Sequence, residues 1–345
     1  MKTDQSIVSR YARQEIFFGI GREGQKKIRN SRVVIMGLSG IGTMTAEYLT
    51  RAGVGFIRLV DGDYVERIEL QRESLFTEED AKNKTTRPVA AKTVLQRYNS
   101  EVEIDAVIST LNGINIKRYI EDVDLVIDAS DSMEDRLLIN EACLALKKPW
   151  IYGGALAASG MSISFFPGDE QPCLRCLIKD QIYEDGQQPT CATVGVLMPA
   201  VGMIASVQAG QALRILSGKS ENKSEIVSFD VWQNTYTILP LSRDPDCPVC
   251  VHEEYMFYGK PQSAQVQAIC GKDSVQIIPQ KDRVIDFTAY AEKLSKQGSV
   301  SYNKFTLDFS DGSIEIKLFK NGRAIINHVT EAGRAKAIYR EYIGL

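Results

Sequence analysis

The sequence predicts an α/β protein built on a doubly wound, mainly parallel sheet continued by antiparallel strands, with a small α+β module at its C-terminal end. Three observations predict it. Buried-strand runs alternate with helical patterns over the first 160 residues, a glycine-rich turn follows the first of those runs, and two hairpin signals are confined to the tail. A chain of 345 residues has room for one large and one small domain. We expect them at 1–254 and 255–345.

The elements follow in order. Arg32-Val-Val-Ile-Met36 reads as a buried strand, Gly37-Leu-Ser-Gly-Ile-Gly42 as a tight turn, and Thr43 to Ala52 as a helix. Phe56 to Val60 is the next strand and ends at Asp61. A helix is expected over Val89 to Tyr98, a strand over Val102 to Val107, and a buried strand over Val123 to Ile127 ending at Asp128. Such alternation gives a Rossmann-like sheet, with ligands beyond the carboxyl ends of its strands. Met161 to Phe166 and Ile226 to Trp232 read as strands flanking a long uncharged helical segment, Gly186 to Arg214. In the tail, Lys304 to Phe309, Ser313 to Phe319 and Arg323 to Asn327 are strands joined at Asp311-Gly312 and Asn321-Gly322, both hairpin dipeptides. Glu331 to Tyr342 is a closing helix.

Composition narrows the function. The net charge of −3 leaves no basic excess to neutralise phosphates along a nucleic acid. The two histidines, His252 and His328, both fall in the last hundred residues. A Ser-His-Asp triad and a histidine-based metal site are therefore excluded from the main body. Met1 to Gln5 carries no signal-peptide stretch, and Gly186 to Arg214 is broken by Pro199, Gln208 and Gln211, so it reads as a buried helix and not a membrane span. Seven cysteines without an export signal suggest reduced thiols or metal ligands in a cytoplasmic protein.

Four groups of residues carry chemistry. Gly37, Gly40 and Gly42 let backbone approach a ligand, and the following helix N-terminus points N–H groups at phosphate, although such turns also serve close packing. Asp61 ends the next strand about twenty residues on, where an acidic side chain can hold ribose hydroxyls. Cys173-Leu-Arg-Cys176 and Cys247-Pro-Val-Cys250 can supply four thiolates to one Zn²⁺. Asp128 and Asp131 end a buried strand on the ligand side; there they suit Mg²⁺ or, equally, a helix N-cap with Asp131 or Ser132. Cys191 stands at the entry of the uncharged helix, where a thiol can have a lowered pKa and act as a nucleophile. Cys143 and Cys270 are assigned to packing.

Taken together, these residues resemble one family. Arg10-Tyr-Ala-Arg13-Gln14, the turn at 37–42, Asp61-Gly-Asp63, Leu70-Gln-Arg72, Asp128 with Asp131, both cysteine pairs and Cys191 occur in the order found in ThiF/MoeB/HesA proteins, bacterial relatives of the ubiquitin-activating enzymes. The likeness covers about residues 8–252, and the tail resembles the extension of ThiF-type proteins of Bacillus and related bacteria. It implies ATP-dependent adenylation of the C-terminal glycine carboxylate of a ubiquitin-fold sulfur carrier ending in Gly-Gly, of the ThiS or MoaD kind. By that resemblance Asp61 and Asp63 serve the nucleotide, Asp61 at the ribose; Arg72 holds the phosphates and Asp131 the Mg²⁺. Arg13 reaches the nucleotide of the other subunit of a homodimer, Cys191 forms a sulfur link, and a sulfurtransferase is a further candidate partner. Thiamine and molybdopterin synthesis are the implied pathways.

The departures point elsewhere. Ser39 replaces a family glycine, Glu69 and Glu73 flank Leu-Gln-Arg72 where the family has Asn and Gln, and Ser132 follows Asp131 where it has Asn. Arg87 stands where the family has its phosphate-contacting lysine. Two extra carboxylates beside a triphosphate are costly unless paired. They keep open a second reading, a weakened paralogue that binds a ubiquitin-fold or peptide partner without activating it. A nicotinamide oxidoreductase is a third reading, in which the cysteine pairs and the arginine motif have no role.

Overall fold

A computed structural model describes residues 9–168, 170–179, 191–260, 265–268, 273–279 and 284–344. Among them an eight-stranded sheet forms the main body. Its strands are β1 (Arg32–Met36), β2 (Phe56–Asp61), β3 (Glu103–Ile108), β4 (Leu125–Asp128), β5 (Trp150–Leu156), β6 (Ser159–Phe165), β7 (Glu225–Asp230) and β8 (Thr235–Pro240). The order is β3-β2-β1-β4-β5-β6-β7-β8, parallel from β3 through β5 and antiparallel from β5 through β8. The expected doubly wound sheet with an antiparallel continuation is therefore present. The sequence reading had not singled out β5 or β8.

The apolar run of β1 is continuous because both faces of the sheet are covered. Val33 and Ile35 enter one core, beneath the helices Gly40–Ala52, Arg87–Tyr98 and Met198–Leu216. Val34 and Met36 enter the other, with the helices Ile116–Ile120 and Met133–Ala145 and the stacked rings of Trp150 and Phe165. The chain reverses winding direction between β1 and β4, which opens a crevice beyond their carboxyl ends. Gly37, Asp61 and Asp128 lie at that rim.

The long uncharged segment is helical at Met198–Leu216, preceded by a single turn at Cys191–Val194; its first residues, 186–190, lie outside the described residues. Ala200, Val201, Ile204, Ala205, Gln208, Ala209 and Ala212 form its buried face. No helix among the described residues is long and apolar enough to cross a membrane.

The tail forms a second sheet from β9 (Gln265–Ala268), β10 (Ser274–Ile278), β11 (Ser299–Tyr302), β12 (Thr306–Ser310), β13 (Glu315–Phe319) and β14 (Ala324–Asn327). All its pairings are antiparallel, in the order β11-β12-β13-β14-β10-β9. Leu307, Phe309, Ile316, Leu318 and Ile326 pack with Ile338, Tyr339 and Tyr342 of the helix Ala332–Tyr342. The opposite face carries Asp308, Lys317 and Phe319 and rests on the main body, where Phe319 stacks on Tyr64 with ring centroids 6.0 Å apart. The expected boundary after residue 254 falls just before Met256, Phe257 and Tyr258, whose N–H groups donate to the buried carboxylate of Glu141 in the main body. Cys270 lies outside the described residues; Cys143 is buried in the core of the main body.

Candidate nucleotide and metal sites

The turn after β1 is tighter than the sequence reading had it, since the helix begins at Gly40 and not at Thr43. Two glycines are demanded by sterics. Gly37 has φ +90, and a Cβ on Gly42 would lie 2.0 Å from the Gly37 carbonyl oxygen. Ser39 sits at φ −82 in extended backbone, so its loss of glycine costs the turn nothing. Gly40 lies against the Arg72 backbone and Val201. In this state the Leu38 N–H donates to Asp61 Oδ2 at 2.7 Å, and the Asp63 N–H donates to Asp61 Oδ1 at 2.7 Å.

Arg87 occupies the centre of the site. Its backbone N–H donates to the Asp63 carbonyl at 3.0 Å, and its side chain is buried. Its guanidinium lies 3.5 Å from Asp61, 3.6 Å from Asp63 and 3.6 Å from Glu73, and it hydrogen-bonds Glu69. Arg72 pairs with Glu69 at 3.2 Å. Desolvation pulls the Arg87 pKa down, but the carboxylates of Asp61, Glu69, Glu73 and Asp63 outweigh it and hold the group firmly charged. Glu73 has no exposed side-chain surface and no hydrogen bond to either oxygen; burial above all, then Glu69 and Asp61, pushes it up to about 8 against the pull of Arg87. The Glu69 carboxylate is thus shared by two arginines, while the raised Glu73 faces Arg87 at 3.6 Å.

The second acidic group lies at the end of β4. Asp128 is fully buried; it accepts from the Ser130 N–H at 2.9 Å and from its hydroxyl at 2.7 Å, and its other oxygen has no hydrogen-bond partner. Asp131 is exposed beside it. Ser132, and not Asp131, caps the helix Met133–Ala145 by accepting from the Asp135 N–H. Burial, reinforced by Asp131, Asp128 and Glu134, pushes Asp135 up to about 8. Asp131, Asp128 and Glu134 thus crowd Asp135 with negative charge, and Arg136 is the opposing charge. Arg136, which the sequence reading passed over, donates to the Ser130 carbonyl at 2.9 Å and lies over the Tyr152 ring.

Cys191 corrects an expectation. Its thiol pKa is raised, because partial burial outweighs the pull of Arg72 and Arg136, and Asp131 adds to the rise. A single helical turn has little dipole to offer it. The same charges place Cys191 beside Arg72 and Asp131, so the predicted chemistry-bearing residues do share one neighbourhood. Arg13 does not join it within one chain. Gln14, next to it, donates to the Ala52 carbonyl at 3.0 Å, at the far end of the helix Gly40–Ala52. That helix is thirteen residues long, which puts about 20 Å between Arg13 and the glycine turn.

The four paired cysteines converge. Cys173, Cys176 and Cys247 are buried and Cys250 is nearly so, with sulfur–sulfur distances of 4.0, 3.7 and 3.5 Å for 173–176, 173–247 and 176–250. Tetrahedral zinc with bonds of about 2.3 Å requires edges of about 3.8 Å. The residues therefore fit Zn²⁺, and among the described residues this is the one cluster of His, Cys, Asp and Glu ligand atoms close enough to hold a metal.

Comparison with known proteins places this geometry. The ThiF family model matches residues 11–249. The chain belongs to the ThiF family. This ThiF-family chain is 35% identical over 341 residues to the sulfur carrier protein ThiS adenylyltransferase of Bacillus subtilis, covering 98% of this chain and 100% of that one. It is 34% identical over 249 residues to the molybdopterin-synthase adenylyltransferase of Escherichia coli, covering 72% of this chain and 98% of that one. In fold it is similar to crystalline E. coli MccB with MccA-N7isoASN, with a TM-score of 0.62 at 21% identity over 72% of this chain and 76% of that one. The likeness to the Bacillus relative runs through the tail; the E. coli enzyme aligns to a stretch too short to include all of it.

Proposed function

We propose that this protein adenylates the C-terminal carboxylate of a small ubiquitin-fold sulfur carrier ending in Gly-Gly. The observation that carries this reading is the match, over nearly the whole of both chains, to a ThiS adenylyltransferase. A carboxylate oxygen attacks the α-phosphorus of ATP, the bond from that phosphorus to the bridging oxygen breaks, and pyrophosphate leaves. Such a transfer needs positioning and charge neutralisation more than covalent assistance.

Asp61 exchanges its bonds to the Leu38 and Asp63 N–H groups for ribose hydroxyls, which frees the turn of Gly37, Gly40 and Gly42 to face the phosphates. Arg72 and Arg87 neutralise the triphosphate, and Asp63 holds the backbone between them and Asp61. Arg87 is planar and can pair with two phosphate oxygens through a fixed fork of donors, a geometry that a lysine does not impose. Asp131 would hold Mg²⁺, which would supply further neutralisation of the phosphates; the negative charge crowded around Asp135 supports a cation here. Arg13 acts on the partner's nucleotide in a homodimer, a role that suits its distance from its own turn. Cys173, Cys176, Cys247 and Cys250 hold a structural Zn²⁺ that ties residues 247–250 to the helix Leu174–Ile178. Cys191 takes part in sulfur delivery after adenylation, with a sulfurtransferase as the candidate donor. We place the enzyme in the cytoplasm and the domain boundary near residue 254.

Carrier-dependent ATP–pyrophosphate exchange tests the reading. Exchange with a Gly-Gly carrier from the same genome, lost when the terminal glycine is removed, is the expected result. Tight carrier binding with no exchange would instead identify a binder.

A further inference from the structure

We propose that the C-terminal module completes the nucleotide site, and that Arg323 is the positioning residue through which it acts. Arg323 stands at the start of β14, just after the Asn321-Gly322 turn, and its side chain is almost wholly buried. One of its nitrogens donates to the Gly62 carbonyl at 3.0 Å, and the other pairs with Asp63. Gly62 has no side chain to obstruct this approach; a Cβ there would lie 3.0 Å from the arginine and 2.7 Å from Thr110. The module thereby reaches into the segment that joins Asp61 to Arg87.

Three further contacts fix the same segment. Phe319 stacks on Tyr64, Lys317 lies over the Tyr64 ring at 5.4 Å, and Lys84 pairs with Asp308 at 3.2 Å. Tyr64 and Thr86 bridge each other as an antiparallel pair, so the module rests on both ends of the loop that sets Arg87. Arg323 shares Asp63 with Arg87. A carboxylate already satisfied by one guanidinium holds a second less firmly, so Arg323 loosens the grip of the acidic ring on Arg87 and leaves it free to meet phosphate. This fits the departures from the family motif: Glu69 and Glu73 add carboxylates to the ring, and the tail supplies a cation.

The inference rests on the ATP site proposed above, so the test reads nucleotide binding without the carrier. Calorimetric titration with Mg·ATP and with adenosine is compared for wild type, Arg323→Ala, Arg323→Lys, Asp63→Asn and the Arg323→Ala/Asp63→Asn double variant. Arg323→Ala should weaken Mg·ATP roughly ten-fold or more, as expected for loss of one charge-assisted contact at the phosphates, and change adenosine less than about two-fold. In the Asp63→Asn background the same substitution should cost less than about three-fold, and Arg323→Lys should stay near wild type. Equal losses for ATP and adenosine, or a full loss persisting in the Asp63→Asn background, would assign Arg323 to docking alone and overturn the proposal. Unchanged Arg323→Ala affinity beside normal wild-type binding overturns it as well. Wild-type protein that binds no ATP at all overturns the nucleotide site first and this inference with it.

Discussion

The two polar centres of this protein are built on opposite principles. At the cysteine cluster four like ligands come from two short local motifs, each holding its own pair three residues apart. At Arg87 unlike charges come from distant parts of the chain: Asp61 at the end of β2 and Asp63 just after it, Glu69 and Glu73 beyond them, and Arg323 from the tail. The first centre offers four sulfur ligands at tetrahedral spacing, and a bound metal would hold them together as thiolates. The second is held by internal ion pairs, with both Glu73 oxygens left without a hydrogen bond. Local motifs bring like ligands together, whereas the ion cluster is assembled only by the fold.

The largest effect that can break this contrast is at the cysteines. Cys247→Ser should lower the melting temperature by roughly 10 °C or more, or leave no soluble protein, because the energy of binding a structural zinc is folding energy. Elemental analysis should find one zinc per chain in wild type, and freshly purified protein without tightly bound zinc would contradict the assignment.

Arg87 comes next. Arg87→Ala should reduce adenylation about 10- to 1,000-fold in pyrophosphate exchange. It should also destabilise the fold by about 3–5 kcal/mol in denaturant titrations, since buried carboxylates lose their common partner. Arg87→Lys keeps the charge and separates the two effects, retaining stability better than activity. Loss of stability with unchanged exchange would assign Arg87 to the fold alone.

Cys191 should show a narrower effect. Cys191→Ser is expected to leave pyrophosphate exchange within about two-fold of wild type while abolishing a downstream sulfur-transfer assay, because adenylation itself needs no thiolate. With its pKa raised in the free protein, the thiol should alkylate slowly at neutral pH and faster as the pH climbs. Equal loss of exchange and transfer in a folded variant would show that it only packs.

The smallest effect is at Glu73, and its sign follows from linkage. A carboxyl near 4.5 when unfolded and raised to about 8 when folded binds its proton more tightly in the native state. Its contribution to stability is full below the unfolded value, declines as the pH rises between the two values, and is lost above the folded one. Glu73→Gln does not titrate. Its melting temperature relative to wild type should therefore climb from pH 5 to pH 8 and then level off. A difference constant across that range would mean that Glu73 is ionised and held by Arg87.

Much of the main body was legible in the sequence because its signals are local. β1 is the five-residue run as read, and the hairpin dipeptides at Asp311-Gly312 and Asn321-Gly322 sit between β12, β13 and β14. β5 escaped notice because its glycines, Gly153 and Gly154, interrupt the apolar run; a Cβ on Gly153 would meet the buried amide of Gln208, so packing and not strand propensity explains that glycine. β8 escaped for the opposite reason. As an edge strand it is exposed along its length and shows no buried face to give a pattern.

The sequence by itself supplied the candidates: the glycine turn, Asp61, Asp131, Cys191 and the two cysteine pairs as residue types at fixed spacings, and Arg72 and Arg87 through the resemblance to a family. Only the tertiary structure decided their state. The same Glu69 and Glu73 that look like an excess of charge along the chain lie around Arg87 in space, one paired and one raised to about 8. Cys191, whose place before a helix allowed a lowered pKa, has its thiol pushed up by partial burial. Arg323 carries no motif at all, and only the docking of a second sheet brings it 260 residues back along the chain to Asp63. Spacing along a chain specifies donors and ligands, but the sign and size of a pKa shift depend on desolvation and on charges a few ångströms away, which the fold alone brings together.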